Sequence, residues 1–320
     1  MAALRRAELA ETVNSSDVSD TSGAVGIDWP AVLERAAERG GERWSQWSDG
    51  HGAHRAASAL EAAARGRRLA AHTAVVTLVH GRHDHLRGLI AGLARGTHLP
   101  ERLVVVAMDD PEVGSVCADA STGTGLAVEV IAVEGTPEGL PLAHARNRGA
   151  DRAAELGCDV LVFLDVDCIP GPDLVACYAD HVRASTQAQD AVDGDDGDQD
   201  CGAPPTVWSG PVTYLPPAPD DGYDLVRLAD LADPHPARPA PAAGQVVPAE
   251  DLDLFWSLSF ALSRRDFVRI GGFCEEYVGY GGEDTDFAMR LRDRDGRLFW
   301  LGAPTPSIST TRRSGRRWRI

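Results

Sequence analysis

The stretch Val160-Leu161-Val162-Phe163-Leu164-Asp165-Val166-Asp167-Cys168-Ile169-Pro170 constrains this chain more than any other. A short apolar run, rich in β-branched residues and closed by a turn former, is the pattern of a central strand in an α/β sheet. Here the run leads straight into two carboxylates, Asp165 and Asp167, and breaks at Pro170. Spaced two apart on a regular strand, both side chains would project to one face. Crowded carboxylates repel unless a cation or proton lies between them. The edge outside the carboxyl ends of the strands is also where open α/β sheets bind ligands. The stretch therefore points to metal or nucleotide binding. The bland alternative is that Asp165 caps a turn and Asp167 is simply solvated.

Strands and helices alternate around it. Ala74–Val79 reads as a strand, followed by His80-Gly81-Arg82-His83-Asp84-His85-Leu86 and an amphipathic helix through Leu93. Strands at Leu103–Met108 and Ala127–Val133 come next, the first ending in Asp109-Asp110-Pro111. A helix from Leu142 to Leu156, carrying Arg146 and Asn147, leads into Val160. This order predicts a mainly parallel sheet with right-handed crossovers. Beyond Pro172 the expectations are a helix to about Val182, strands at Trp208–Leu215 and Phe255–Ser263, a short helix from Arg264, and a helix to Arg294 opened by Gly281-Gly282-Glu283-Asp284.

Residues 1–27 are polar and expected to be disordered. Asp28-Trp29-Pro30 is a helix start, and alanine-rich sequence from 28 to 70 reads as a helical extension. The main domain is expected over 71–303. It holds an acidic loop at 186–206 and a proline-rich loop at 216–250, the latter a candidate lid or substrate loop.

A net charge of −17 argues against nonspecific nucleic-acid binding. Much of it sits between Asp190 and Asp200, the pattern of a solvated loop. No apolar run approaches the roughly 20 residues that span a bilayer, and no signal-peptide core is visible, so a cytoplasmic protein without a transmembrane segment is expected. The six cysteines show no CxxC pair and read as reduced thiols.

Three acidic clusters fall where the ligand edge should be: Asp109-Asp110, Asp165 with Asp167, and Glu283-Asp284. The last follows two glycines at a helix start, where the backbone is permissive and the dipole favours an ionised carboxylate. Alone, Glu283 and Asp284 could merely cap the helix. Beside a strand-end DxD, a functional role is the better reading.

Phe163 to Pro170, Gly271-Gly272-Phe273 and Tyr280-Gly281-Gly282-Glu283-Asp284-Thr285-Asp286 together resemble the inverting GT-A glycosyltransferases of family 2. The likeness is greatest to the branch related to β-1,4-galactosyltransferases and polypeptide N-acetylgalactosaminyltransferases. Arg82…His85-Leu86 and Ala145-Arg146-Asn147 match more loosely, and the resemblance covers roughly Thr73 to Gly302. It implies a GT-A α/β fold and transfer of a sugar from a nucleotide-diphosphate donor, a UDP-sugar first among candidates, to an acceptor hydroxyl. Asp167 would bind Mn2+ or Mg2+, and Asp165 would contact the ribose or a metal-bound water. His80, Arg82 and Asp109 would line the nucleotide pocket, with Arg146 or Asn147 near the phosphates. Asp284 would be the general base and Glu283 would orient hydroxyls. Tyr280 and Trp256 are candidate sugar-stacking platforms, although aromatics beside a strand are more often core, and Gly281 and Gly282 belong to the same acceptor and sugar side. Two other readings stand beside this one: a non-catalytic nucleotide-sugar binder, and a nucleotidyltransferase, which leaves Tyr280 to Asp284 without a role.

The sequence departs from the family at its end. A further histidine ligand is expected downstream of Asp284, yet no histidine follows His235. Residues 304–320 switch to Ser, Thr and Arg. Ser307 to Arg312 can be encoded so that a one-base shift reads Phe-His-Gln-His-His-Pro. The tail is therefore read as a frameshift product, which would cost the chain this ligand and impair it; the alternative reading is a basic, solvated tail.

Overall fold

A computed structural model describes residues 68–193, 203–216, 223–231, 233–234, 236, 238–302 and 307–309. They fall in one compact unit, Arg67–Ile320. The expected disordered segment 1–27 and most of the expected helical extension lie outside the described residues.

The chain opens with β1 (Arg68–Val79), α1 (His83–Ala94), β2 (His98–Met108), α2 (Val113–Ser121), β3 (Val128–Val133), α3 (Leu142–Glu155) and β4 (Val160–Leu164). There follow β5 (Cys168–Ile169), α4 (Leu174–Asp193), β6 (Thr206–Ser209), β7 (Val212–Tyr214), α5 (Leu228–Leu231), β8 (Asp233–Pro234) and β9 (Val246–Pro248). The chain continues through β10 (Ser259–Ser263), α6 (Arg264–Ile270), α7 (Glu283–Arg292), β11 (Arg297–Leu301) and β12 (Ser307–Ser309). Eight strands form the central sheet in the order β3-β2-β1-β4-β10-β6-β11-β9, and β5-β12-β7-β8 form a smaller one. The half from β3 to β4 is parallel, while β10 runs antiparallel between β4 and β6. The α/β layout expected for GT-A is the one observed.

Burial explains why β4 is central. All five of its residues are buried. Val160, Val162 and Leu164 join one apolar cluster, and Leu161 and Phe163 join the cluster on the other face. A strand covered on both sides carries no polar alternation, which is why its sequence is continuously apolar. The helix α3 packs directly on β1. A Cβ on Gly149 would lie 2.4 Å from Val76 Cγ1, so only glycine permits that approach.

Several expected boundaries are revised. Arg68–Ala70 belong to β1 rather than to a helical extension; the strand reaches back past a register shift between Ala70 and Ala74. The helix α2, flanked by Pro111 and a glycine-rich turn, was not expected between the second and third strands. The helix α4 continues to Asp193, so the first part of the expected acidic loop is helical. The expected strand Trp208–Leu215 is cut at Gly210-Pro211 into β6 and β7, which join different sheets. The strand β10 begins at Ser259, and β11, missed in the sequence, extends the central sheet.

An aromatic cluster joins α7 to this sheet. Phe273 and Phe287 stack at 4.6 Å, Phe163 and Phe260 at 4.7 Å, and Phe255 meets Phe260 at 5.1 Å. Stacked and edge-to-face pairs add about 0.5–1.5 kcal/mol each beyond burial. Through Phe287 the carboxylates at the start of α7 are fixed relative to the end of β4.

Candidate active site

Parallel β1, β2 and β4 end at one edge of the sheet, and antiparallel β10 begins there. The loops at this edge carry the chemistry.

The strand β4 stops at Leu164, so Asp165 to Asp167 form a turn. The Asp165 amide donates to the Leu258 carbonyl at 2.9 Å, and the Cys168 amide closes the turn on the Asp165 carbonyl at 2.9 Å. The two aspartates are thus gathered by a turn, not by the same-face geometry of a regular strand. Asp167 is 6% exposed. Burial pushes Asp165 up to about 6; Arg146 opposes the shift, while the charges of Asp167 and Asp284 reinforce it.

Two arginines answer this negative charge. Arg82 precedes α1 in a left-handed conformation, φ 51°, and its Nη1 is 3.0 Å from Asp167 Oδ2. Arg146, buried on α3, places Nη1 3.0 Å from Glu283 Oε1 and Nη2 3.6 Å from Asp165 Oδ1. Its guanidinium lies 5.1 Å from the centre of the Phe273 ring.

The helix α7 starts after Gly281 and Gly282, at φ 100° and 96°. A Cβ on Gly282 would come within 2.8 Å of the Tyr277 ring. Glu283, Asp284 and Asp286 fill the first turn, where each carboxylate gains roughly 0.3–1 kcal/mol from the dipole. Glu283 is 5% exposed, and its second oxygen, Oε2, has no hydrogen-bond partner among the described residues. Burial raises the pKa of Asp284 above the ordinary carboxylate value, and neighbouring Glu283 adds to the rise. A carboxylate that holds a proton more readily is a better base.

The remaining candidates are placed unequally. His80 Nδ1 donates to the Met108 carbonyl at 2.8 Å. Asp109 is exposed at the end of β2 with φ 46°. The cluster's structural role belongs to Asp110, whose carboxylate accepts from the Gly81 amide (2.7 Å), His83 Nε2 (2.9 Å) and the Glu112 amide (3.2 Å). Asn147 turns away from the acidic edge: it donates to the Phe273 carbonyl at 2.9 Å and to Glu275 at 2.8 Å, and it accepts from the Phe273 amide at 2.9 Å. That clamp fixes the Gly271-Gly272-Phe273 turn and leaves the phosphate-side candidacy to Arg146. Trp256 is half-buried, whereas Tyr280 is 79% exposed beside the glycines.

A divalent cation fits this arrangement in one way. Among the described residues no group of three or more His, Cys, Asp or Glu side chains could cage an ion. Two aspartates suit a hard ion that brings water and diphosphate oxygens with it. The backbone of β12 lies beside this place, pairing Ser309 with Cys168 and Ile308 with Ile169. The rest of the atypical tail lies outside the described residues.

Residues 246–313 match the family described as the N-terminal domain of galactosyltransferase. Validoxylamine A glucosyltransferase of Streptomyces hygroscopicus subsp. limoneus is 30% identical over 227 residues, which is 68% of this chain and 47% of that protein. The chain is similar to glycosyltransferases over these stretches. The protein of the same name from subsp. jinggangensis is 49% identical over 37 residues, 12% of this chain and 9% of its own length. The chain spans less than half the length of the curated relatives it matches. Among solved structures, the crystal structure of GalNAc-T7 with UDP, GalNAc and Mn2+ aligns over 76% of the chain and 44% of its own at TM-score 0.49 and 16% identity. That of S. aureus TarS 1-349 aligns over 74% and 60% at TM-score 0.46 and 14% identity. The matched family segment carries Trp256, Tyr280, Glu283 and Asp284, while Asp165 and Asp167 precede it.

Proposed function

We propose that this protein is an inverting glycosyltransferase that moves a sugar from a nucleotide diphosphate, UDP first among candidates, to an acceptor hydroxyl. The observation that carries the reading is the joining of the DxD turn to the start of α7 through Arg146, which meets both Asp165 and Glu283. That bracket sets a donor-side carboxylate pair beside a candidate base.

In this reading Asp284 takes the proton of the acceptor hydroxyl as its oxygen attacks the anomeric carbon from the side opposite the nucleotide. Glu283 Oε2, buried and without a partner among the described residues, accepts from a sugar hydroxyl. Arg82 and Arg146 offset the mutual repulsion of the carboxylates and lend positive charge to the diphosphate side. Mn2+ or Mg2+ held by Asp167 and Asp165 would stabilise the negative charge on the departing nucleoside diphosphate. His80 and Asp109 border the nucleotide, and Trp256 and Tyr280 face the sugars.

The test is thermal unfolding in the presence of UDP-, GDP- and dTDP-sugars, with and without Mn2+. A ligand selective for the native state raises the midpoint, so one nucleotide sugar should do so in an Mn2+-dependent way. No shift with any of them would end the reading. The lack of a three-ligand group among the described residues favours a second reading, a nucleotide-sugar binder that does not turn over. It predicts the same thermal shift without nucleotide release.

A further inference from the structure

Arg238 is an anomaly in its segment. Among the described residues between Leu228 and Phe255 it is the only buried one, 4% exposed in an otherwise exposed or half-buried proline-rich run. Burying a guanidinium demands polar partners, and four hydrogen bonds hold that of Arg238. Nε donates to the Gly210 carbonyl at 3.2 Å and Nη1 to the Trp256 carbonyl at 2.9 Å. Nη2 donates to Ser209 Oγ at 2.7 Å and to the Ser259 carbonyl at 3.2 Å. The guanidinium carbon lies 5.2 Å from the centre of the Trp300 ring. All four acceptors are neutral.

These partners lead to the acidic edge. The segment from Trp256 to Ser259, held at both ends by Arg238, contains the Leu258 carbonyl that accepts the Asp165 amide. The far side of the knot is closed by Tyr178, whose hydroxyl meets Ser259 Oγ at 2.7 Å and accepts from the Gly210 amide at 2.7 Å. Plain anchoring of the loop would need one contact to the sheet. A planar fork that ties β6, the 256–259 segment and the loop together has more consequence.

We propose that Arg238 is a positioning residue for the DxD turn, holding segment 256–259 so that the Leu258 carbonyl fixes Asp165 and the Trp256 backbone is set at the same edge. The functional half of this proposal rests on the glycosyl-transfer reading; the structural half does not.

The experiment uses the full chain with Arg238→Ala. Amide hydrogen exchange should accelerate in peptides covering 256–259 and also 164–168, with β1 to β3 unchanged. Affinity for UDP with Mn2+, read by calorimetry, should fall on the order of 10-fold, as for other residues that support a metal-binding side chain. Millimolar guanidinium, filling the vacated space, should restore both. Unchanged exchange at 164–168 in a folded Arg238→Ala protein, or failure of guanidinium to restore it, would overturn the proposal. Should Arg238→Ala not fold, Arg238→Lys carries the same test, because it keeps the charge without the fork; unchanged exchange at 164–168 again overturns it. If the wild-type protein binds no UDP with Mn2+, the glycosyl-transfer reading fails, while the exchange data still decide the role of Arg238.

Discussion

Arg146 stands between Glu283, at 3.0 Å, and Asp165, at 3.6 Å, and so joins a helix start to the end of the central strand. Arg146 and Glu283 are both buried, and a buried pair is costly to break from one side, since the charge left behind has no solvent. Arg146→Met should cost about 3–5 kcal/mol, measured by denaturant unfolding. The double variant Arg146→Met with Glu283→Gln should recover much of that loss. A single variant as stable as wild type would show that the bracket carries little.

Asp110 sets an acid limit on stability. Burial alone would raise its pKa, but hydrogen bonds from His83, Gly81 and Glu112 outweigh burial and hold it below the ordinary value of 3.8. A depressed folded pKa gives stability that is present above the unfolded value and lost as pH falls through the folded one. Wild type should therefore exceed Asp110→Asn in stability at pH 7, with the gap closing below about pH 4. A gap that persists to pH 2 would count against the charge being its source.

Phe287 transmits the sheet's position to α7. Phe287→Ala should cost about 3–5 kcal/mol in unfolding free energy. It should also impair turnover more than nucleotide binding, because Glu283 and Asp284 sit one turn away. Equal losses in both would show that α7 positions the donor instead.

The unusual tail makes a prediction about nucleotides rather than amino acids. Codons for Ser307 to Arg312 should read as histidine-containing sequence one base out of frame, and the protein encoded in that restored frame should bind Mn2+ more tightly. Codons that cannot yield histidine in another frame would end the idea.

The DxD stretch was legible because a strand buried on both faces must be continuously apolar, which leaves its terminal carboxylates conspicuous. The start of α7 was legible for a similar reason: two glycines followed by two acids interrupt any other pattern. The turn geometry of Asp165 to Asp167 was not, since strand length is set by the partner β10, which begins opposite Leu164. Asp109 and Asp110 cannot be told apart in sequence; only the path of the 80–83 loop makes Asp110 the clasp. Asn147 sits next to Arg146, yet one helical step of about 100° turns it to the Phe273 backbone. Arg238 was invisible, one arginine in a proline-rich segment, because its partners are carbonyls and hydroxyls contributed by distant strands. Tertiary burial, not local pattern, singles it out.

The most direct measurement is nucleotide release by wild type and Asp284→Asn, using the nucleotide sugar that stabilises the wild-type protein with Mn2+. Loss of a general base should lower turnover by about 10²–10⁴-fold while the affinity for the nucleotide sugar stays comparable. Normal turnover in Asp284→Asn would contradict the account, because no other side chain has been assigned the acceptor proton.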